Sequence, residues 1–339
     1  MKTTRLLALA ISILWVLNAE VSLLFAQAPT TPKILFTSAR DGNYDVYSMN
    51  PDGSDKVNIT RHRASDYGAA WSPTGEKIIF VSDRGGERDL YLMNPDGSNV
   101  RRVFRRKIEA RRISPSWSPD GKRIAYRHLD FNAGGTNGTY IATLGEQEEE
   151  RIGNYGSPAW SPDGTEIACR GNEAGGSWLI LFNVSTYKHE RLLPKKTLQW
   201  QAGPSWSASG DKIAFTGNKH PIPAILDRDL HNAWADKDTV YIVNRDGTGL
   251  KQLIEENGPA AWTSTLSPNG EEILYTQRSI DDYQIFKLDV NSGIRTQLTH
   301  TDRNMGADWF DPAHTLSVSP QPQLLTTTWG KLKIKQNIQ

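Results

Sequence analysis

The pentapeptide Trp117-Ser118-Pro119-Asp120-Gly121 is the clearest mark of architecture in this chain, because the chain repeats it. Close copies are Trp71-Ser72-Pro73-Thr74-Gly75 and Trp160-Ser161-Pro162-Asp163-Gly164, and degenerate copies begin at Trp206, Leu266 and Trp309. The starting positions 71, 117, 160, 206, 266 and 309 are separated by 46, 43, 46, 60 and 43 residues. Four of these five intervals lie near the roughly 40–45 residues of a four-stranded propeller blade. An insertion over residues 217–239 accounts for the long interval.

Each unit reads as a series of short strands joined by tight turns. In S-P-D-G the proline presets φ and the glycine takes the left-handed position. A second turn follows in three units, as Asn50-Pro51-Asp52-Gly53, Asn94-Pro95-Asp96-Gly97 and Asn244-Arg245-Asp246-Gly247. The segments between the turns alternate apolar and polar residues, which is typical of strands, and no segment shows convincing helical periodicity. The sequence therefore predicts an all-β, six-bladed β-propeller of four-stranded antiparallel blades.

The two ends of the repeat predict how the ring closes. Three strands precede Trp71, and one further strand, ending at Trp309, follows the last complete unit. One strand plus three makes a blade, so we expect the C-terminal strand around residues 307–309 to pair with the N-terminal strand around residues 34–36. Closure of this kind removes free sheet edges that would template aggregation.

The repeat I-x-F-x-S-x-R-D-G-x-x-D-x-Y-x-M-N-x-D-G, followed by P-x-W-S-P-D-G, resembles the TolB-type propeller repeat over about residues 33–311. Twelve residues of the first unit fit it: Ile34, Phe36, Ser38, Arg40, Asp41, Gly42, Asp45, Tyr47, Met49, Asn50, Asp52 and Gly53. The resemblance implies a periplasmic propeller that binds a partner, as TolB binds a peptidoglycan-associated lipoprotein. TolB carries an α/β domain before its propeller. Only four residues separate Ala28 from Lys33, so we expect that domain to be missing here.

The N-terminus reads as an export signal. Lys2 and Arg5 precede an apolar run over residues 6–17, and Ala26-Gln27-Ala28 offers small residues for cleavage. We therefore expect residues 1–28 to be a signal peptide, residues 33–311 the propeller and residues 312–339 a C-terminal extension. The protein would be periplasmic or secreted after cleavage near Ala28, with no membrane insertion afterwards. The alternative is an uncleaved anchor over residues 6–25, which Asn18 and Glu20 disfavour.

Charge and cysteine content exclude several classes of function. Lys plus Arg number 39 and Asp plus Glu number 38, so no global field would hold nucleic acid. The single cysteine, Cys169, excludes a disulfide framework and a cysteine-based zinc site, and its strand-like surroundings predict a core position. We expect a monomeric propeller with no cofactor.

Loop lengths predict a binding face. The first-to-second and third-to-fourth connections of each unit are short and uniform, whereas the other two are longer and irregular. We call the ends carrying these connections the short-turn face and the long-loop face. Long variable loops on a rigid scaffold are where recognition commonly resides, so we predict binding on the long-loop face.

Three groups of residues there are candidates. A basic cluster, with Arg105, Arg106, Arg111 and Arg112 as its partner-binding residues, suits an anionic partner, unless it is a solvated strand end balanced by acids of its own blade. Trp200 and Trp234 suit a sugar face or a protein anchor, or else blade packing. Asp227, Asp229 and His231 would share one face of an extended segment and are weak metal candidates, with a metal-free polar lid as the alternative.

Catalytic motifs are not found: the chain has no G-x-S-x-G elbow, no H-E-x-x-H and no phosphate-cradling loop. The leading interpretation is an exported, non-enzymatic propeller that binds a protein or glycan of the cell envelope. The alternative is a metal-dependent polysaccharide lyase or another carbohydrate-acting enzyme of propeller fold.

Overall fold

A computed structural model describes residues 27–132, 135–173, 175–223, 228–279 and 282–315. It consists of six four-stranded antiparallel sheets, and in five of them the strands follow chain order from the centre outward. The predicted six-bladed propeller is therefore confirmed. Most of the predicted signal peptide, the candidate Asp227 and most of the C-terminal extension lie outside the described residues.

The first blade joins the two ends of the repeat, as predicted. Its strands are β1 (Lys33–Ser38), β2 (Asp45–Met49), β3 (Val57–Asn58) and, at the centre of the ring, β24 (Asn304–Phe310). β24 pairs antiparallel with β1, with Trp309 opposite Ile34 and Asp308 opposite Leu35. The ring thus closes by main-chain hydrogen bonds between strands at opposite ends of the chain.

The other five blades are continuous in sequence. Blade 2 holds β4 (Asp66–Trp71), β5 (Ile78–Ser82), β6 (Asp89–Met93) and β7 (Arg101–Arg102), and blade 3 holds β8 (Arg111–Trp117), β9 (Arg123–Leu129), β10 (Gly138–Thr143) and β11 (Glu149–Gly153). Blade 4 holds β12 (Tyr155–Trp160), β13 (Glu166–Glu173), β14 (Gly176–Asn183) and β15 (His189–Arg191). Blade 5 holds β16 (Trp200–Trp206), β17 (Lys212–Asn218), β18 (Thr239–Asn244) and β19 (Lys251–Gln252), and blade 6 holds β20 (Ala261–Leu266), β21 (Glu272–Arg278), β22 (Tyr283–Asp289) and β23 (Arg295–Gln297).

Serine and glycine explain why the repeated turn forms. The Ser72 hydroxyl accepts a hydrogen bond from the Lys77 amide (3.0 Å), and Gly75 takes a positive φ of 72°. The same serine bond recurs in four further blades, at Ser118, Ser161, Ser207 and Ser267. Because glycine alone adopts this φ at no steric cost, the motif specifies the turn locally.

The core lies in the seams between neighbouring blades. In the seam of blades 2 and 3, Ile79 and Val81 pack with Ile124 and Tyr126 of the next blade, and all four are buried. Full burial of one such side chain contributes roughly 1.5–3 kcal/mol, so six seams supply most of the favourable free energy of folding. Cys169 lies in such a cluster and is fully buried, as predicted.

A ring of hydrogen bonds links all six central strands around the channel. Where the residue before the repeated aromatic position is polar, its side chain bonds to the neighbouring strand, as Asp308 accepts from the Trp71 amide (2.8 Å). Ser116 and Ser205 likewise accept an amide hydrogen bond in two other seams, and in a third the Thr265 hydroxyl donates to the carbonyl oxygen of Ala307. Where that residue is Ala70 or Ala159, the indole nitrogen of Trp117 or Trp206 donates to its carbonyl oxygen instead.

Every central strand also carries a β-bulge that the sequence did not predict. Three residues before the repeated aromatic position the backbone is left-handed, with φ between 47° and 62°, and the pairing register shifts there. The six residues are Gly68, Ser114, Ser157, Gly203, Thr263 and Gly306. Glycine adopts this left-handed conformation without strain, whereas serine and threonine do not. Because three of the six positions hold serine or threonine, residue preferences alone do not predict the bulge.

Candidate binding surfaces

The basic cluster of the long-loop face splits into exposed and buried members. Arg105 and Arg106 are exposed. Arg111 is partly buried: its Nε lies 3.2 Å from a carboxylate oxygen of Glu87, and its guanidinium lies 4.8 Å from the ring centroid of Phe131. Among the residues that the structure describes, Arg105 and Arg106 are therefore exposed cations without an ion pair, whereas Arg111 is already paired.

Arg112 corrects the prediction, because this residue is fully buried and cannot meet a partner on the surface. Its guanidinium binds both carboxylate oxygens of Glu149 (2.6 and 2.8 Å) and reaches Asp89 at 3.2 Å. It also lies 4.1 Å from the ring centroid of Phe104. Arg112 thus links blades 2 and 3, and it does so because strand alternation turns one of two adjacent arginines inward.

Glu149 completes this buried network. Burial alone would raise the pKa of Glu149, but hydrogen bonds from Arg112 and from the hydroxyl of Tyr126 outweigh it and lower the pKa. The carboxylate therefore stays ionised opposite Arg112. The network is structural, since each of its charges is used within the seam.

The insertion in blade 5 contains a helix, which corrects the expectation of an extended segment. Helix α1 spans Arg228–Ala235, and Trp234 is its buried anchor, with 9% of its surface exposed. The Trp234 indole donates to the carbonyl oxygen of His220 (2.9 Å), and its ring packs edge-on against Trp200 at 6.0 Å between centroids. Trp234, predicted to contact a partner, instead holds the helix against the propeller, and Trp200 is its partly buried counterpart.

The metal candidates do not share one strand face. Asp229 and His231 are two residues apart on α1, so they point in different directions around the helix. The ring of His231 packs 5.5 Å from that of Trp234. In the ranges that the structure describes, no group of three His, Cys, Asp or Glu residues is placed to hold a metal ion. Asp227 falls outside those ranges.

Acidic groups beside the helix are partly buried. Asp238 accepts a hydrogen bond from Asn218 at 2.8 Å, and burial raises the pKa of Asp238 to about 6. Asp236 pairs with Arg278 instead. These carboxylates are engaged by the fold and form no acid–base pair with one another.

A depression lies on the other face, where the channel opens among the repeated turns. It has a volume of ≈ 360 Å³ and is lined by the tryptophans and prolines of the repeat, including Trp71, Pro119 and Pro162. Asp308 and Asp311 are acidic residues of its lining, and burial raises the pKa of Asp308 to about 6. Loop length predicted binding on the opposite, long-loop face. In the sequence, only the repeated Trp-Ser-Pro motif indicated that these residues would gather around the mouth of the channel.

Within the described ranges, no helix has the length and apolar composition that a membrane span requires. Three of the histidines there have separate local partners. His220 bonds to Glu256 (2.9 Å), His189 to Tyr155 (3.1 Å) and His314 to Asp311 (3.1 Å). Each of these pairs lies in a different part of the ring, so the structure does not gather them into one site.

A family model described as the TolB beta propeller domain matches residues 24–112 and 105–305, which is most of the chain. TolB from Acinetobacter baumannii is similar in structure, with a TM-score of 0.67 and 20% identity over 82% of this chain and 66% of that one. An oligogalacturonate lyase from Vibrio parahaemolyticus is also similar, with a TM-score of 0.54 and 13% identity over 80% of this chain and 76% of the lyase. At these identities the two likenesses show the fold alone.

One curated relative, an uncharacterised protein of Agrobacterium fabrum, is 32% identical over 74 residues. That match spans 22% of this chain and 25% of the relative's length.

Proposed function

Since the chain belongs to the TolB β-propeller family, we propose that it is an exported, non-enzymatic binding protein that engages an acidic partner on its long-loop face. The fold supports this proposal by presenting irregular loops on a rigid ring. The N-terminal pattern of Lys2, Arg5 and an apolar run supports export to the periplasm or the exterior. An acidic protein surface of the cell envelope is the partner that the charges favour.

The exposed pair Arg105 and Arg106 is the observation that carries the proposal. Among the described residues neither guanidinium forms an ion pair, and both side chains face solvent. Two of the acids of blade 3 that could balance them are engaged elsewhere: Glu149 binds Arg112, and Glu150 accepts from the hydroxyl of Tyr187 (2.5 Å). The exposed guanidinium groups of Arg105 and Arg106 support an interpretation of the cluster as a positive patch that attracts an acidic surface.

Charge reversal tests the proposal. We expect Arg105→Glu with Arg106→Glu to weaken capture of envelope proteins by the purified protein more than tenfold, or about 1.4 kcal/mol. The melting temperature should stay nearly unchanged, because exposed charges contribute little to stability. The loss should also shrink as salt is raised, since salt screens exposed charges.

Lys122→Glu with Lys188→Glu is the matched control, because both lysines are exposed on short connections of the opposite face. This control makes the same change in net charge and should leave capture intact. Capture that survives the arginine changes but is lost in the lysine control would refute the proposal and assign binding to the short-turn face.

A further inference from the structure

Two arginines occupy a position that is threonine in three other blades. On the second strand of blades 1, 5 and 6, Thr37, Thr216 and Thr276 each accept a hydrogen bond from the bulge amide of the next central strand, at 3.3, 3.1 and 3.2 Å. In blades 3 and 4 the equivalent residues are Arg127 and Arg170. In these two neighbouring blades, a long cationic side chain thus takes the place of the small threonine between the blades.

Neither arginine has a counter-charge in the part of the chain that the structure describes. Both are partly buried, no carboxylate lies within ion-pair distance of either, and Nε of Arg170 is buried without any hydrogen-bond partner. Arg112, on the neighbouring strand, binds two carboxylates. Burial lowers the pKa of Arg127 and of Arg170, and the positive charge of Arg127 lowers that of Arg170 further. An unpaired cation in such a place costs folding free energy, so the fold itself does not account for the pair.

Gly156 brings the two side chains to one place. It is the direct cross-strand partner of Arg170, and it precedes the bulge residue Ser157 on the central strand of blade 4. The Arg127 side chain lies against it, since a Cβ at Gly156 would sit 3.4 Å from Nε of Arg127 and 3.5 Å from Cζ. The absence of a side chain at Gly156 leaves room beside the two cations.

We propose that Arg127 and Arg170 form an anion site on the inner part of blade 4, and that it takes a carboxylate of an acidic polypeptide segment. A guanidinium presents a planar fork that pairs with a carboxylate through two hydrogen bonds, and two forks surround a single carboxylate. The site rests on the proposed function and deepens it: Arg105 and Arg106 attract an acidic partner, and the partly buried pair Arg127 and Arg170 binds one of its carboxylates.

The aromatic rings of this face favour a polypeptide over an acidic sugar. Sugar rings bind by stacking on a free aromatic face. Trp200 packs edge-on against Trp234, and Trp262 packs edge-on against Tyr283 at 5.0 Å. These four rings contact one another in pairs, and the exposed ring of Phe131 lies 4.8 Å from the Arg111 guanidinium, whereas an extended acidic side chain needs only the cations and the space at Gly156.

The experiment uses a hexaglutamate peptide as the probe, titrated into the purified protein at low salt by calorimetry. We expect hexaglutamate to bind the natural protein and Arg170→Met to weaken this binding at least tenfold, whereas Arg170→Lys should retain part of it. Arg101→Met removes an equal charge from the exposed outer strand of blade 2 and should leave binding unchanged. Arg170→Met should also raise the melting temperature of the unbound protein, because it removes an unpaired buried cation. A purely structural arginine would lower it.

Several outcomes would count against the proposal. No binding of hexaglutamate, or equal binding by the Arg170 and Arg101 variants, overturns the site. Tighter binding of trigalacturonate than of hexaglutamate overturns the polypeptide assignment, and sulfate binding as tightly as the peptide shows a generic anion site. If Arg170→Met does not fold, Gly156→Val closes the space without removing a charge and should abolish binding. The Arg105→Glu, Arg106→Glu variant distinguishes the two proposals. If its capture of envelope proteins is unchanged, the proposed function fails, but hexaglutamate binding at Arg127 and Arg170 can still be observed.

Discussion

Asp308 makes the stability of the ring depend on pH in a direction opposite to that of most surface acids. Its carboxylate accepts the Trp71 amide across the closing seam at 2.8 Å, and burial raises its pKa to about 6 from the usual 3.8. Below about pH 4 the folded and unfolded states are both protonated. Between pH 4 and 6 the folded state keeps the proton that the unfolded state has lost, so stability falls as pH rises and the full penalty is present above pH 6.

The size of this penalty follows from the two pKa values. A difference of about 2 pH units at 1.36 kcal/mol each amounts to roughly 3 kcal/mol. This is an upper limit, because Asp308 lines the channel mouth and keeps some contact with water. Asp308→Asn preserves an oxygen that accepts the Trp71 amide and removes the charge. At pH 8 the variant should therefore be more stable by up to about 3 kcal/mol, or roughly 5 °C in melting temperature.

Thermal unfolding of the natural protein and the variant across pH 4 to 8 measures this difference. The two melting temperatures should converge near pH 4 and separate progressively up to pH 7. Asp302→Asn, at an exposed position six residues earlier, is the control and should track the natural protein throughout. A constant offset at every pH, or a variant less stable at pH 8, would refute the assignment of a raised pKa to Asp308.

Two further predictions concern closure and the bulges. Ending the chain after Arg303 removes β24 and opens two sheet edges, so cooperative thermal unfolding should be lost. Ending the chain after Thr315 keeps β24 and should preserve cooperative unfolding. Equal unfolding curves for the two truncated proteins would contradict closure by β24. Gly203→Ala should destabilise the protein by about 1 kcal/mol in denaturant unfolding, because φ is 58° there, whereas no neighbouring atom would obstruct a Cβ. Gly203→Asn should cost less, since asparagine tolerates this conformation, and equal losses for the two variants would contradict backbone strain as the cause.

The architecture was readable from the sequence because its signals are local. Each Trp-Ser-Pro-x-Gly turn forms within five residues, through the serine hydroxyl and a left-handed glycine, and strand alternation needs no distant partner. Counting strands before Trp71 and after Thr299 was then enough to predict six blades and their closure. The resemblance to the TolB repeat agreed with this count.

The surface was less readable, because burial depends on what lies across a seam. Strand alternation turns one of the adjacent residues Arg111 and Arg112 inward, and the positions of Asp89 and Glu149 on other strands make Arg112 the buried link. Trp234 is buried because α1 folds back onto Trp200, which lies 34 positions earlier in the chain. No local pattern distinguishes such a residue from an exposed one.

Arg127 and Arg170 are a second example of residues whose surroundings the sequence did not predict. As isolated residues they are two of many arginines in strands, and their sequence neighbours reveal nothing unusual. Only the tertiary structure shows that they approach Gly156 together and meet no carboxylate among the described residues. The sequence by itself determined the turns, the strands and their number, since these depend on short-range conformational preferences. The tertiary structure decided which charges are satisfied, because electrostatic pairing is set by distances between residues that are far apart in the chain.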